Sequence, residues 1–245
     1  MIRSSLDTAR CRAGLLRDGR FQIESFLQAD AAERLHQCLH NEVPWSLALC
    51  DASGMHTMPQ ADYAKLDQVQ RTALYAQLAE SAKGDHYRFA YDSYMMPRAY
   101  LEGRDPGLLL HRVLEFLNSP EVLQFMRVLT GEPRIMRLDA QATRYQAGQF
   151  LRTHNDEHSG EGRLFAYVIN LSRRWQADWG GLLQFVDDEG AVFDTFMPKW
   201  NSLSLFRVPV RHTVSTLNPW AEEPRYAITG WMLASARPPA ANTDG

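Results

Sequence analysis

Residues 134–146 read "RIMRLDAQATRYQ", and at this stretch the chain changes its period. Before it, apolar residues recur every three or four positions. After it they come in short runs rich in β-branched and aromatic residues: "RLFAYVINLS" (163–172), "GLLQFVD" (181–187), "AVFDTFM" (191–197), "NSLSLFRV" (201–208), "RHTVSTL" (211–217) and "RYAITGWML" (225–233). Clusters of Gly, Pro, Asn and Asp separate them, the pattern of short strands joined by turns. No helix-length segment lies between these strands, so the spacing predicts a sandwich or barrel and not a parallel α/β sheet.

Upstream of residue 134 the reading is helical. "QADAAERLHQCLHNEVP" (28–44) offers Asp30 as N-cap with Glu33 three residues on, then Leu35, Cys38 and Leu39 on one face and Pro44 beyond the end. A second helix is expected over about 62–83, with Leu66, Val69, Ala73 and Leu74 on one face and Gly84 as terminator. "DPGLLLHRVLEFLN" (105–118) and "SPEVLQFMRVLTG" (119–131) each read as N-cap, proline at the first helical position and a 3.6-residue stripe. The fold class is therefore mainly β with a helical N-terminal half. A single domain is expected over 1–236, with helical support at about 20–131, a β core at about 134–234 and a disordered tail at 237–245.

Hydrophobic residues make up 45% of the 245 positions and charged residues 22%, which predicts a buried core. A net charge of −3 gives no sign of a nucleic-acid partner. No stretch reaches the roughly 18 apolar residues of a membrane span, and the arginine-studded N-terminus lacks the apolar stretch of a signal peptide. Three cysteines, Cys11, Cys38 and Cys50, form no CxxC pair. Their odd number argues against a disulfide framework and for a reducing compartment. A cytoplasmic location is the expectation.

The densest chemistry lies at 152–158, "RTHNDEH". On an extended segment His154 and Asp156 point the same way, so both can meet one ion. His158 is expected to leave the site, because "HSGEG" begins a turn. His212 follows 58 residues later in a β-like run. Two imidazoles and one carboxylate make a facial triad with open positions, the arrangement of non-haem Fe(II) sites that activate oxygen. Arg225 opens the last strand, where by alternation Ala227, Thr229 and Trp231 share its face. A buried arginine needs an anion and binds carboxylate bidentately. A small dicarboxylate that chelates the metal at one end would satisfy both.

The order Tyr145-x-x-Gly148, His154-x-Asp156, Gly180-Gly181, Asn201, His212 and Arg225 resembles the Fe(II)/2-oxoglutarate-dependent oxygenases. It is similar above all to the prolyl-4-hydroxylase-like branch, and within it to the group acting on a ribosomal-protein proline, which has arginine where many prolyl hydroxylases have lysine. The carrying segments are "YQAGQFLRTHND", "YVINLSRRW", "GGLLQF", "PKWNSLSLF" and "VRHTV". The resemblance covers about 134–234 and implies a double-stranded β-helix, the cupin-like jelly roll, supported by N-terminal helices. It also implies Fe(II) on His154, Asp156 and His212, with 2-oxoglutarate held by Arg225 and Tyr145 and with Thr229 on the same wall. O2 would be consumed, succinate and CO2 released, ascorbate would stimulate, and a prolyl residue of a protein or peptide would be hydroxylated.

Three alternatives stand beside that reading. One is the same chemistry on a free amino acid or small metabolite. Another is a metal-binding jelly roll that senses 2-oxoglutarate or oxygen without turnover. The third is a zinc hydrolase built on His154 and His158, although "HNDEH" is not HExxH. The tyrosine-rich stretch 88–107 reads either as strands extending the sandwich or as a substrate lid, and Arg152 and Arg144 are expected near the mouth of the site.

Overall fold

The computed structural model describes residues 1–84, 86–157 and 162–234. The expectations for His158 and for a disordered tail concern residues outside these. Among the described residues, seven helices precede the β core: α1 (Thr8–Asp18), α2 (Ala29–Asn41), α3 (Gln60–Tyr63), α4 (Gln68–Ser81), α5 (Met96–Leu101), α6 (Leu109–Leu117) and α7 (Pro120–Thr130). Four strands are interspersed among them: β1 (Arg20–Ile23), β2 (Ser46–Asp51), β3 (Gly54–Met58) and β4 (Phe89–Met95). Nine follow: β5 (Arg137–Leu138), β6 (Gln141–Tyr145), β7 (Phe150–His154), β8 (Arg163–Asn170), β9 (Leu183–Val186), β10 (Val192–Phe196), β11 (Ser202–Arg207), β12 (His212–Val214) and β13 (Arg225–Leu233). Every run read as a strand from 134 onward forms one.

All of these strands pair antiparallel within one sheet that curls back on itself. The order β6-β13-β8-β11 makes one wall and β7-β12-β9-β10 the other, the eight-stranded jelly roll. Strand β4 pairs with both β6 and β7 and so joins the walls, while β2 and β3 extend the sheet from β4. Strand β1 adds to β11. At the opposite margin, among the described residues, no backbone ladder completes the circuit. Instead Arg20 on β1 donates to Asp194 on β10 at 2.5 Å, and Gln22 donates to the Met197 carbonyl at 2.8 Å.

Alternation along β13 decides where the core lies. Tyr226, Ile228 and Met232 face outward and pack with Leu35 and Leu39 of α2, Leu110 of α6 and Met126 of α7. Each such side chain contributes roughly 1.5–3 kcal/mol on burial. The odd-numbered residues of the same strand face the interior of the roll. All three cysteines are free and buried, and among the described residues no helix is long and apolar enough to cross a membrane.

Some expected details are corrected. Helix α2 begins at Ala29 with Gln28 as an uncapped N-cap. Asp30 lies in its first turn beside Arg34, and Glu33 is engaged by Arg173, so no capping box forms there. The box is at Asp67 and Gln70, which exchange backbone and side-chain bonds and start α4 afresh after the short α3. Val69 on α4 is exposed, and Leu78 carries the burial instead. Helix α6 starts at Leu109, not Pro106, because Asp105 adopts a left-handed φ of 48° and the chain turns there. Helix α7 has its N-cap at Ser119, Pro120 at the first position and Gly131 at the end, as read.

Asn201 does more than close a turn. At a left-handed φ of 51°, its side chain accepts from the Leu27 N–H and donates to the Leu27 carbonyl, each at 2.8 Å. Leu27 is buried, so these two bonds tie the N-terminal segment to the jelly roll. Asn201→Ala leaves both backbone groups unpaired and adds strain at the positive φ. We expect a loss of about 2–4 kcal/mol, measured by the denaturant midpoint. Asn201→Gly, which relieves only the strain, recovers the smaller part.

Candidate active site

Strands β7 and β12 are neighbours, and their register sets His212 directly opposite His154. The two rings lie 4.1 Å apart between centroids. His154 Nδ1 donates to the Arg152 carbonyl and His212 Nδ1 to the Val210 carbonyl, both at 2.9 Å. A carbonyl can only accept, so the proton is on Nδ1 and, in a neutral ring, Nε2 presents its lone pair. Burial, with the neighbouring His154, lowers the His212 pKa to about 4, so this ring is neutral at physiological pH.

Asp156 completes the group by a different route from the expected one. The strand ends at His154, and Asp156 sits beyond it at φ 60°. A left-handed turn, not strand alternation, brings the carboxylate back. Its oxygens lie 3.3 Å from His154 Nε2 and 3.5 Å from His212 Nε2. Burial alone would raise its pKa; contact with His154, the adjacent imidazoles and the Trp231 indole outweigh that and hold it at about 2. One ligand atom from each of the three residues lies within 4.8 Å of the others. Two lone pairs and an anion converge on one point, a donor set that fits a divalent cation with the remaining positions open.

The opposite wall supplies a cation. Arg225 pairs in register with Tyr145, and both side chains enter the same cavity of about 100 Å³ that holds the triad. Arg225 is 2% exposed. It lies 5.3 Å over the Tyr145 ring and makes a long 3.5 Å contact to Asn170 Oδ1, while its Nε has no partner. Burial lowers its pKa and pushes that of the Tyr145 phenol well up. Thr229 and Trp231 line the cavity as alternation predicts. Gly180-Gly181 is more than a turn: at φ 63°, a Cβ on Gly181 would stand 3.2 Å from both Arg225 Cδ and Trp175.

The fold and this geometry can be set beside known proteins. Residues 140–233 match the 2OG-Fe(II) oxygenase superfamily. That match spans the β core with the triad and Arg225. The chain is 29% identical over 164 residues to the prolyl 3-hydroxylase OGFOD1 of Mus musculus, covering 63% of this chain and 28% of that protein. The chain thus spans under a third of the length of the curated relatives it matches. Among solved structures it resembles a prolyl-4-hydroxylase from Pseudomonas putida (TM-score 0.57, 18% identity, 92% of this chain and 98% of that one). It also resembles a Trichoplax adhaerens prolyl hydroxylase in complex with a hypoxia inducible factor peptide (TM-score 0.58, 17% identity, 93% and 89%). This superfamily uses Fe(II), 2-oxoglutarate and O2.

The stretch 88–107 forms β4 and α5. Tyr91 in this stretch and Tyr87 just before it line the cavity. Tyr87, Phe89 and Tyr91 alternate along one face and stack in sequence at 5.4 and 5.3 Å. The ladder runs from His154, 5.4 Å from Tyr87, to Tyr145, 5.2 Å from Tyr91. Period 2 in "YRFAY" was the available signal. Arg144 and Arg152 point elsewhere. Arg144 pairs with buried Asp92 at 2.7 Å, and Arg152 donates to the Ala82 and Gly84 carbonyls at the end of α4. His154→Ala and His212→Ala each remove a nitrogen donor from the triad. We expect both to abolish Mn(II) or Co(II) binding measured by titration calorimetry, with thermal stability retained.

Proposed function

We propose that the protein is an Fe(II)- and 2-oxoglutarate-dependent dioxygenase that hydroxylates a prolyl residue in a protein or peptide. The carrying observation is one cavity that holds both the His154, Asp156 and His212 donor set and a buried guanidinium whose Nε lacks a partner. A 2-oxo acid with a second carboxylate answers both needs, chelating at one end and pairing with Arg225 at the other.

His154, Asp156 and His212 would hold Fe(II), which when bound supplies O2 activation coupled to decarboxylation of 2-oxoglutarate. One oxygen atom ends in succinate and the other in the hydroxyl of the product, with CO2 released. The chain's own part is orientation and exclusion. Arg225 would fix the distal carboxylate bidentately. Tyr145, whose buried phenol keeps its proton, would donate to the same group, and Thr229 stands on the same wall. The ladder Tyr87, Phe89 and Tyr91 screens this end from water. Tyr87 is 42% exposed and leans on His154, which gives an arriving prolyl ring an aromatic surface beside the reacting centre. The printed names of the curated relatives and of the peptide-bound neighbour support a prolyl residue as the target. Three buried free thiols support a reducing, cytoplasmic setting.

Arg225→Ala removes a charge-assisted pair worth about 3 kcal/mol, so the 2-oxoglutarate requirement for succinate release should rise about a hundredfold or more. Arg225→Lys should recover part of it. An unchanged requirement would overturn the clamp. Incubation of a lysate with protein, Fe(II) and 2-oxoglutarate should give +16 mass shifts on proline-containing peptides. Succinate release driven only by a small metabolite would overturn the prolyl assignment.

A further inference from the structure

Trp231 shares the cavity with Asp156 and carries a polar group that forms no hydrogen bond of good geometry. Its indole Nε1 is fully buried and makes no hydrogen bond. An unpaired buried donor is costly, so its retention asks for a partner in some state of the protein. The indole lines the same cavity as Asp156 and stands on β13 two residues past Thr229, on the inward face.

The ring is held from the other side. The Arg163 guanidinium lies 3.7 Å over the indole centroid. The same guanidinium donates through Nη1 to the Asp156 carbonyl at 3.2 Å. One cation therefore braces both the indole and the left-handed residue that carries the carboxylate. Asp156 needs such a brace, because a non-glycine residue at φ 60° is not held there by its own preference.

The donor count around Asp156 points the same way. With both Nδ1 protons committed to backbone carbonyls and both Nε2 atoms given to a metal, neither imidazole has an N–H left for Asp156. When one carboxylate oxygen is given to a metal, the other is left in a buried site without a donor from either imidazole.

We propose that Trp231 is a positioning residue of the metal centre: its indole N–H, braced by Arg163, takes the Asp156 oxygen that the metal does not use and so fixes that ligand's orientation. This rests on the metal-site reading above. Groups that orient metal ligands typically affect metal affinity by about 10–100-fold.

The test is Mn(II) titration of the full chain, unaltered and as Trp231→Phe, which keeps an aromatic ring under Arg163 but removes the N–H. Mn(II) binding should weaken about tenfold or more, and the Co(II)-substituted protein should show a shifted ligand-field absorption, a change that altered packing far from the ion would not produce. Arg163→Met, which removes the brace and leaves the indole, should weaken Mn(II) binding in the same direction and serves if Trp231→Phe does not fold. Unchanged Mn(II) affinity and Co(II) spectrum in a folded Trp231→Phe protein would overturn the proposal. So would a loss confined to 2-oxoglutarate affinity, which would assign the N–H to the cosubstrate. If the unaltered chain binds no Mn(II), the failure is that of the metal-site reading itself.

Discussion

A guanidinium buried without an anion is the constraint around which this molecule is organised. Removing an ion from water costs several kcal/mol even after relaxation, and Arg225 recovers little of that through a long contact to Asn170 and the face of Tyr145. The cost is tolerable only if the surroundings leave room for a carboxylate and nothing else. Gly181 leaves that room, because any side chain there would press on the Arg225 stem. The jelly roll then sets this cation on one wall and the Asp156 carboxylate with two imidazole lone pairs on the other. The cavity between them is polar at both ends and aromatic along its side.

Strand β13 shows how one stretch of nine residues serves both the core and the site. Its outward face is ordinary core, packed by three helices. Its inward face is Arg225, Ala227, Thr229 and Trp231, a gradient from charged through small to aromatic. The helices therefore stiffen the wall on which the cation stands, although none of them contributes a side chain to the cavity. Rigid support of that kind is what a bidentate clamp requires.

The second half of the chain was legible because its strands are short β-branched and aromatic runs, such as "RYAITGWML" and "NSLSLFRV", and turn residues punctuate them. The strands of the first half were less so. Strand β4 falls in the stretch 88–107 that reads either as strands or as a lid, and β3, exposed over most of its length, leaves no apolar pattern. The donor set was legible from residue type and spacing, yet the reason Asp156 reaches it was not, since a positive φ at an aspartate leaves no mark in composition. Arg163 and Tyr87 escaped notice for a related cause. Their roles come from rings and cations meeting across strands far apart in sequence, and no local pattern records such meetings. Arg144 looked as though it belonged to the site, but Asp92, invisible as its partner until β4 and β6 were paired, holds it in a buried network with Gln146 and Gln149.

The margin where β1 meets β10 is closed by side chains and not by a backbone ladder. Two hydrogen bonds from Arg20 and Gln22 hold what elsewhere around the roll is held by continuous pairing. Local opening follows the cheapest set of bonds. The seam without a ladder lies two strands from His212, clear of the strands that carry the donor set.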